Sequence, residues 1–212
     1  MTNSMIPLIF VRHGQTEWSL SGRYQGRSDL PLVAQGREQA FQTGLRLRGE
    51  GVGSILTSPL RRARETAEII AETLGLDAPD VDHRLAELAY GAWEGRTQAE
   101  IRSRWPDQLR QWKRAPESAT FPGGECLADL RERLRLFLVD PMWAMHDCGS
   151  VLVVSHAGVI RAALLEAAQQ PFSMFRQITV STASVHRMVL HWQKGSIRVP
   201  TRQQETEACV LQ

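Results

Sequence analysis

Lysine is nearly missing from this 212-residue sequence: Lys113 and Lys194 stand against 23 arginines. The basic side chains are therefore almost all forked guanidiniums, which grip phosphate or carboxylate through paired hydrogen bonds. Cysteine is scarce as well. Cys126, Cys148 and Cys209 are odd in number and widely spaced, which leaves no disulfide framework and no CxxC zinc pattern. Sparse, unpaired thiols suit a reducing compartment, and a cytoplasmic location is expected. No apolar stretch approaches the roughly 20 residues that span a bilayer. The short apolar run near the N-terminus lacks the basic flank of a secretory signal. A strong charge of either sign is missing too: the net charge is +2, too small by itself to point to nucleic acid. Neither a membrane nor a nucleic acid is expected as a partner. The closing "CVLQ" (209–212) has the pattern of a C-a-a-X prenylation box. No polybasic stretch precedes it, so the second signal needed for stable anchoring is absent.

What is present suffices for one sizeable core. Hydrophobic residues make up 42% and charged ones 23%, ordinary values for a globular chain. Residues 1–212 are read as a single domain, with about 93–125 as a substrate-side insertion and about 201–212 as a loose tail. "IPLIFV" (6–11) is a continuous apolar run, the mark of a strand covered on both faces. A helix is expected over "VAQGREQAFQTGLRLRGEG", with Ala40, Leu45 and Leu47 on its apolar side and Gly49 and Gly51 ending it. "SILTS" (54–58) reads as a second strand, with Ser58 as N-cap and Pro59 as first residue of the next helix. Leu60, Ala63, Ala67, Ile70, Ala71 and Leu74 then recur at helical spacing until Gly75. After an irregular middle, "FPGGE" (121–125) marks a turn before the helix "CLADLRERLRLFLV". "SVLVVSHAGVIRAALLEAA" repeats the opening arrangement of apolar strand, histidine turn and helix. "SVHRMVLHWQ" and "SIRV" alternate as late strands joined at Lys194–Gly195. Strands alternating with helices predict a three-layer α/β/α sandwich with a mostly parallel central sheet.

In such a sheet, ligands bind beyond the carboxyl ends of the strands. His13 and His156 each follow a strand directly, and Arg62 lies at the start of the helix after a third. Three strand-to-helix junctions can thus converge on one pocket. Arg12 and Arg62 would offer forked donors to a phosphate, and helix N-termini would add backbone N–H groups. Two histidines can divide labour, one neutral and nucleophilic, the other donating to the phosphoryl oxygens.

The segments "RHGQTEWS", "TSPLRRARETA", "LAELAYGAWEG" and "VVSHAGVIR" resemble, in order, the four signature blocks of the histidine phosphatase superfamily in its phosphoglycerate-mutase-like branch. The resemblance runs from about Leu8 to about His191, and "GRYQGRSDLPL" and "PGGE" are similar to its ancillary segments. It implies that His13 becomes a phosphohistidine and that Arg12, Arg62 and His156 hold the phosphate. Glu87 would protonate the leaving oxygen and then activate water. By the same resemblance Gly14, Arg23, Gln25 and Gly26 would reach the substrate. Ala157 and Gly158 would supply small residues and backbone N–H groups beside His156. No metal or cofactor is implied, and the sequence has neither HExxH nor a carboxylate-rich metal pattern. One departure stands out. Ser19 occupies a position where the family usually has asparagine, so a phosphate donor is shortened, and Ser19→Asn is expected to tighten binding of inorganic phosphate. Cys126 replaces a common serine at a helix start.

Glu87 and His156 are 69 positions apart, short for a mutase with a lid-forming insertion. The reading is a phosphatase that releases inorganic phosphate from a small phosphorylated metabolite, most similar to the α-ribazole phosphatases. The alternatives are a cofactor-dependent phosphoglycerate mutase and a non-catalytic phosphate-binding module. Trp93, Trp105 and Trp112 could wall a substrate or pack in the core. His83, His146, His186 and His191 are read as structural or surface residues, and a homo-oligomer is left open.

Overall fold

Strand β1 (Met5–Arg12) shows why the opening run is apolar throughout. Leu8 and Phe10 point into one core with Val151 and Val153, whereas Ile9 and Val11 point into the opposite core with Leu152 and Val154. Both faces are covered, so the strand is apolar until Arg12 at its carboxyl end. The structure is a computed structural model and describes residues 5–145, 149–191, 194 and 196–198. His146, Cys148, Gly195 and the tail from 201, including Cys209, lie outside the described residues.

After β1 come a short helix α1 (Glu17–Leu20), α2 (Ala34–Arg46), β2 (Val52–Thr57), α3 (Arg61–Leu74) and β3 (Asp80–Val81). The middle holds α4 (Gln98–Arg104), α5 (Pro106–Arg114) and α6 (Leu127–Leu138). Then follow β4 (Ser150–Ser155), α7 (Ala157–Ala167), β5 (Val185–His191) and β6 (Ser196–Arg198). The six strands lie in the order β3-β2-β4-β1-β5-β6. The pairs β3–β2, β2–β4 and β4–β1 are parallel, and β1–β5 and β5–β6 are antiparallel. Helices α2 and α3 pack together over the core that holds Ile9, Ile55 and Ile70, and α6 and α7 pack together over the one that holds Leu8, Phe10 and Leu130. This is the mostly parallel sheet flanked by helices that the alternating pattern predicts.

Two boundaries differ from expectation. Helix α2 stops at Arg46. Gly49 and Gly51, with φ of 85° and 62°, shape the descent into β2 rather than the helix end itself. Helix α3 begins at Arg61 with Leu60 as an extended N-cap, not at Ser58–Pro59. The Ser58 hydroxyl still accepts from the Leu60 N–H at 3.3 Å and also lies 2.7 Å from His156 Nε2. The Asp29 carboxylate accepts from the Arg61 N–H at 2.6 Å, which satisfies an orphan donor of the helix start. The C-terminal end of α3 is as expected: Gly75 is left-handed, with φ 71°.

The irregular middle is largely core. Trp93 and Trp112 are buried together with Tyr90 and Phe121, whose rings meet edge to face. Trp105 is only partly buried and carries the Arg96 guanidinium over its ring. Helices α4 and α5 are anchored to this core by Ile101 and Leu109.

Candidate active site

Strand register brings the two histidines together. Arg12 pairs with Ser155 across the β1–β4 ladder, so the next residues of the two strands, His13 and His156, leave the sheet side by side. Their ring centroids are 5.1 Å apart. The His13 N–H donates to the Ser155 carbonyl at 2.9 Å, and the Ser58 N–H donates to Val154 at 3.0 Å. The turns after β1, β2 and β4 are therefore tied to one another by backbone hydrogen bonds.

His13 is buried, and its Nδ1 lies 2.7 Å from the Gly14 carbonyl. A carbonyl only accepts, so Nδ1 carries the proton and Nε2 keeps a lone pair. The Arg62 Nε–H donates to that Nε2 at 3.3 Å. Burial and the neighbouring Arg62 and Arg12 charges hold the His13 pKa well below 6.5. His156 is lowered too, by burial first and then by Arg62, His13 and Arg12. Both rings are thus neutral near pH 7, the state in which an imidazole can act as nucleophile.

Arg62 is fully buried, yet among the described residues no carboxylate forms an ion pair with it. It donates to the carbonyls of Gly26 (2.7 Å) and Ser28 (2.8 Å), which fixes the 23–29 loop over the site. Burial lowers its pKa to about 10. Arg12 donates to the Val180 carbonyl at 2.7 Å, and burial lowers its pKa as well. Arg12 Nε and His156 Nδ1 are buried and have no hydrogen-bond partner. Among the described residues the only other buried side-chain polar atom without a partner is Trp93 Nε1, so two of three cluster at this site.

Glu87 arrives from the segment after β3, locked between the buried Leu85 and Leu88. Its carboxylate accepts from the N–H groups of Leu88 (2.8 Å) and Gly158 (3.1 and 3.2 Å). The "PGGE" turn supports this segment. Glu125 accepts from the Ala89 N–H at 3.2 Å, Ala89 O accepts from the Glu125 N–H at 2.8 Å, and Arg133 pairs with Glu125 at 2.6 Å.

These groups border a cavity of about 300 Å³. Among the expected residues, Arg12, His13, Arg23, Gln25, Gly26, Arg62, Glu87 and Ala157 line it. His156 is buried 5.1 Å from His13, bonded to Ser58, and is not among the residues that line the cavity. Gln25 accepts from the Thr16 hydroxyl at 2.9 Å, and Arg23 donates to Gly95 O and pairs with Glu100. Three expectations need correction. The Ser19 hydroxyl accepts from the Thr16 N–H (2.9 Å) and donates to the Thr16 carbonyl (2.8 Å). It closes the cap of α1 instead of facing the cavity, so the predicted gain in phosphate affinity from Ser19→Asn loses its geometric basis. The Gly158 N–H serves Glu87, not a ligand. Gly14 packs on α2, where an added Cβ would come within 2.3 Å of the Gly36 carbonyl.

Tyr24, Tyr90, Arg161 and Arg176 also line the cavity but escape the sequence reading; Trp112 lines it while being buried in the core. Arg161 was legible in principle, one and a half turns beyond His156 on α7. Arg176 lies between α7 and β5 and carries no sequence signal. Among the described residues, no group of three or more His, Cys, Asp or Glu side chains could hold a metal ion. No described helix is long and apolar enough to cross a membrane.

Comparison with known proteins agrees with this geometry. Residues 8–203 match the histidine phosphatase superfamily (branch 1). Phosphoserine phosphatase 1 of Hydrogenobacter thermophilus is 37% identical over 158 residues, 74% of each chain. A "probable phosphoglycerate mutase" of Salmonella paratyphi B is 33% identical over 184 residues, 87% of this chain and 85% of that one. The crystal structure of an α-ribazole phosphatase from Shigella flexneri superposes with a TM-score of 0.80 over 92% of this chain and 95% of that one. At 23% identity it speaks for the fold alone.

Proposed function

Since the chain belongs to the histidine phosphatase superfamily, branch 1, we propose that it is a metal-independent phosphomonoesterase acting on a small phosphorylated metabolite through a phosphohistidine. One observation carries the reading. His13 has its Nδ1 proton bound to the Gly14 carbonyl, which leaves Nε2 as the unprotonated nitrogen, held only by a long 3.3 Å bond from Arg62 Nε–H, and both His13 and Glu87 line the cavity.

The steps follow from the residues. His13 Nε2 attacks phosphorus while Arg12, Arg62 and His156 stabilise the equatorial oxygens. The P–O bond to the leaving group breaks, and the departing oxygen takes a proton from the Glu87 carboxyl. The resulting carboxylate then takes a proton from water, whose oxygen attacks the phosphohistidine. Inorganic phosphate leaves and His13 is restored. The backbone N–H groups of Leu88 and Gly158 hold the Glu87 carboxylate in place through both half-reactions.

Hydrolysis is favoured over mutase chemistry because Glu87 and His156 are only 69 positions apart, short for a mutase with a lid-forming insertion that would exclude water. Phosphoserine and 3-phosphoglycerate, named for the two relatives above, are the first substrates to assay. The α-ribazole preference rests on likeness of fold and is not maintained. The deciding measurement is turnover of p-nitrophenyl phosphate in EDTA between pH 5.5 and 7.5. Wild type is expected to be active and His13→Ala to lose about 10³-fold or more. Wild-type inactivity, loss of activity in EDTA, or activity surviving in His13→Ala would overturn the reading. Primer-dependent isomerisation of 3-phosphoglycerate faster than its hydrolysis would replace it with the mutase.

A further inference from the structure

We propose that Arg161 and Arg176 form a second anion subsite, which selects substrates that carry a carboxylate besides the phosphate to be cleaved. This rests on the phosphomonoesterase reading for the identity of the first site. The starting observation is an imbalance of charge. Arg12, Arg23, Arg62, Arg161 and Arg176 line the cavity, against Glu87 as its one lining carboxylate. Arg12 and Arg62 flank His13 and serve the scissile phosphate. Arg23 is matched by Glu100 at 3.1 Å. Arg161 and Arg176 have no ion pair among the described residues. Two uncompensated guanidiniums in one small cavity repel each other, and an anion between them removes that repulsion.

Their mounting suits recognition. Arg161 Nε donates to the Ile178 carbonyl at 2.8 Å, and its guanidinium carbon lies 5.8 Å from the Phe175 ring centroid. One edge of the fork is thereby fixed and the terminal N–H groups remain available. Arg176 makes no hydrogen bond among the described residues, and its guanidinium carbon lies 5.8 Å from the Trp112 ring centroid. The pair thus combines one rigid and one adjustable donor. Arg161 and Arg176 both act on the Tyr24 and Tyr90 hydroxyls, and Arg161 also acts on Arg12, so the subsite adjoins the phosphate end of the cavity. A cavity of about 300 Å³ that must also hold a phosphate leaves room for a compact second anion, which a carboxylate is.

The test compares 3-phosphoglycerate with glycerol 3-phosphate, which share a three-carbon skeleton and differ by a carboxylate in place of a hydroxymethyl. Binding is read by tryptophan fluorescence in the His13→Ala protein, where neither is turned over. The carboxylate compound is expected to bind at least about ten-fold tighter. Arg176→Gln and Arg161→Gln should each cut that ratio by about three-fold or more, and Arg176→Lys should restore part of it. Arg176 makes no hydrogen bond among the described residues, so its variant loses only the contact with the Trp112 ring and is expected to fold even if Arg161→Gln does not. Arg61→Gln, which removes the same charge from an exposed site, should leave the ratio nearly intact. A ratio near one, a ratio that survives both replacements, or an equal fall in Arg61→Gln would overturn the subsite. Failure of the hydrolase reading is seen separately, as absence of turnover by wild type.

Discussion

Gly158 shows how much a single absent methyl can decide. A Cβ at this position would lie 2.2 Å from Glu87 Oε1, so even alanine must displace the carboxylate that the Gly158 N–H helps to hold. Gly158→Ala is expected to lower kcat by about 10²-fold, as a misplacement of about 1 Å does, while far-UV circular dichroism stays native. Unchanged kcat would show that Glu87 is not poised by this contact. At this scale the sequence was legible where chemistry and position coincide. His13, Arg62 and His156 sit at strand-to-helix junctions, so the topology alone brings them together. Ser19 was misread because composition fixes a side chain's chemistry but not its direction. Its hydroxyl is short enough to fold back on Thr16, and that local bond wins.

Helix α1 has only four residues, and its first turn is held by a reciprocal cap between Thr16 and Ser19. Ser19→Ala removes two of those hydrogen bonds and should cost about 1 kcal/mol. For a chain of this size that is a fall in Tm of about 2–4 °C, measurable by scanning calorimetry. A stability equal to wild type would mean that the cap is dispensable. The elements themselves were mostly legible, because the apolar runs of β1 and β4 and the helical spacing of α3 are imposed by burial on both sides of the sheet. Their ends were less so. The start of α3 moved by two residues, and Ser58 instead meets His156, a contact 98 positions away in sequence. The support of the Glu87 segment by Glu125 and Arg133 is similarly long-range and leaves no periodic trace.

The whole molecule should report the state of its buried histidines through pH. Burial and the adjacent arginines lower the pKa values of His13 and His156 below 6.5, and burial lowers those of His186 and His191. The unfolded chain therefore binds more protons than the folded one below about pH 6.5, and stability decreases there as the pH is lowered. The contribution is fully present above the unfolded value and is lost as pH drops through the folded ones. Tm should be nearly flat between pH 7.5 and 7 and decline from 6.5 to 5.5, with a shallower decline in a His13→Asn, His156→Asn double variant. A Tm that rises on acidification over this window would contradict the assignment of neutral rings. Inorganic phosphate should raise Tm throughout, because it binds the folded chain alone.

The reacting groups come from the turns after β1, β2 and β4 and from the Glu87 segment, which hydrogen bonds tie into one unit. The far wall is drawn from elsewhere: Trp112 from α5, and Arg176 from the stretch between α7 and β5. Of the proposed subsite, Arg161 shares α7 with the Gly158 that holds Glu87, whereas Trp112 and Arg176 come from stretches that bear no proposed reacting group. A lineage could revise the wall by a few substitutions without disturbing the nucleophile or its phosphate donors. The same partition gives an engineer a defined set of positions to randomise, with the catalytic floor left as inherited.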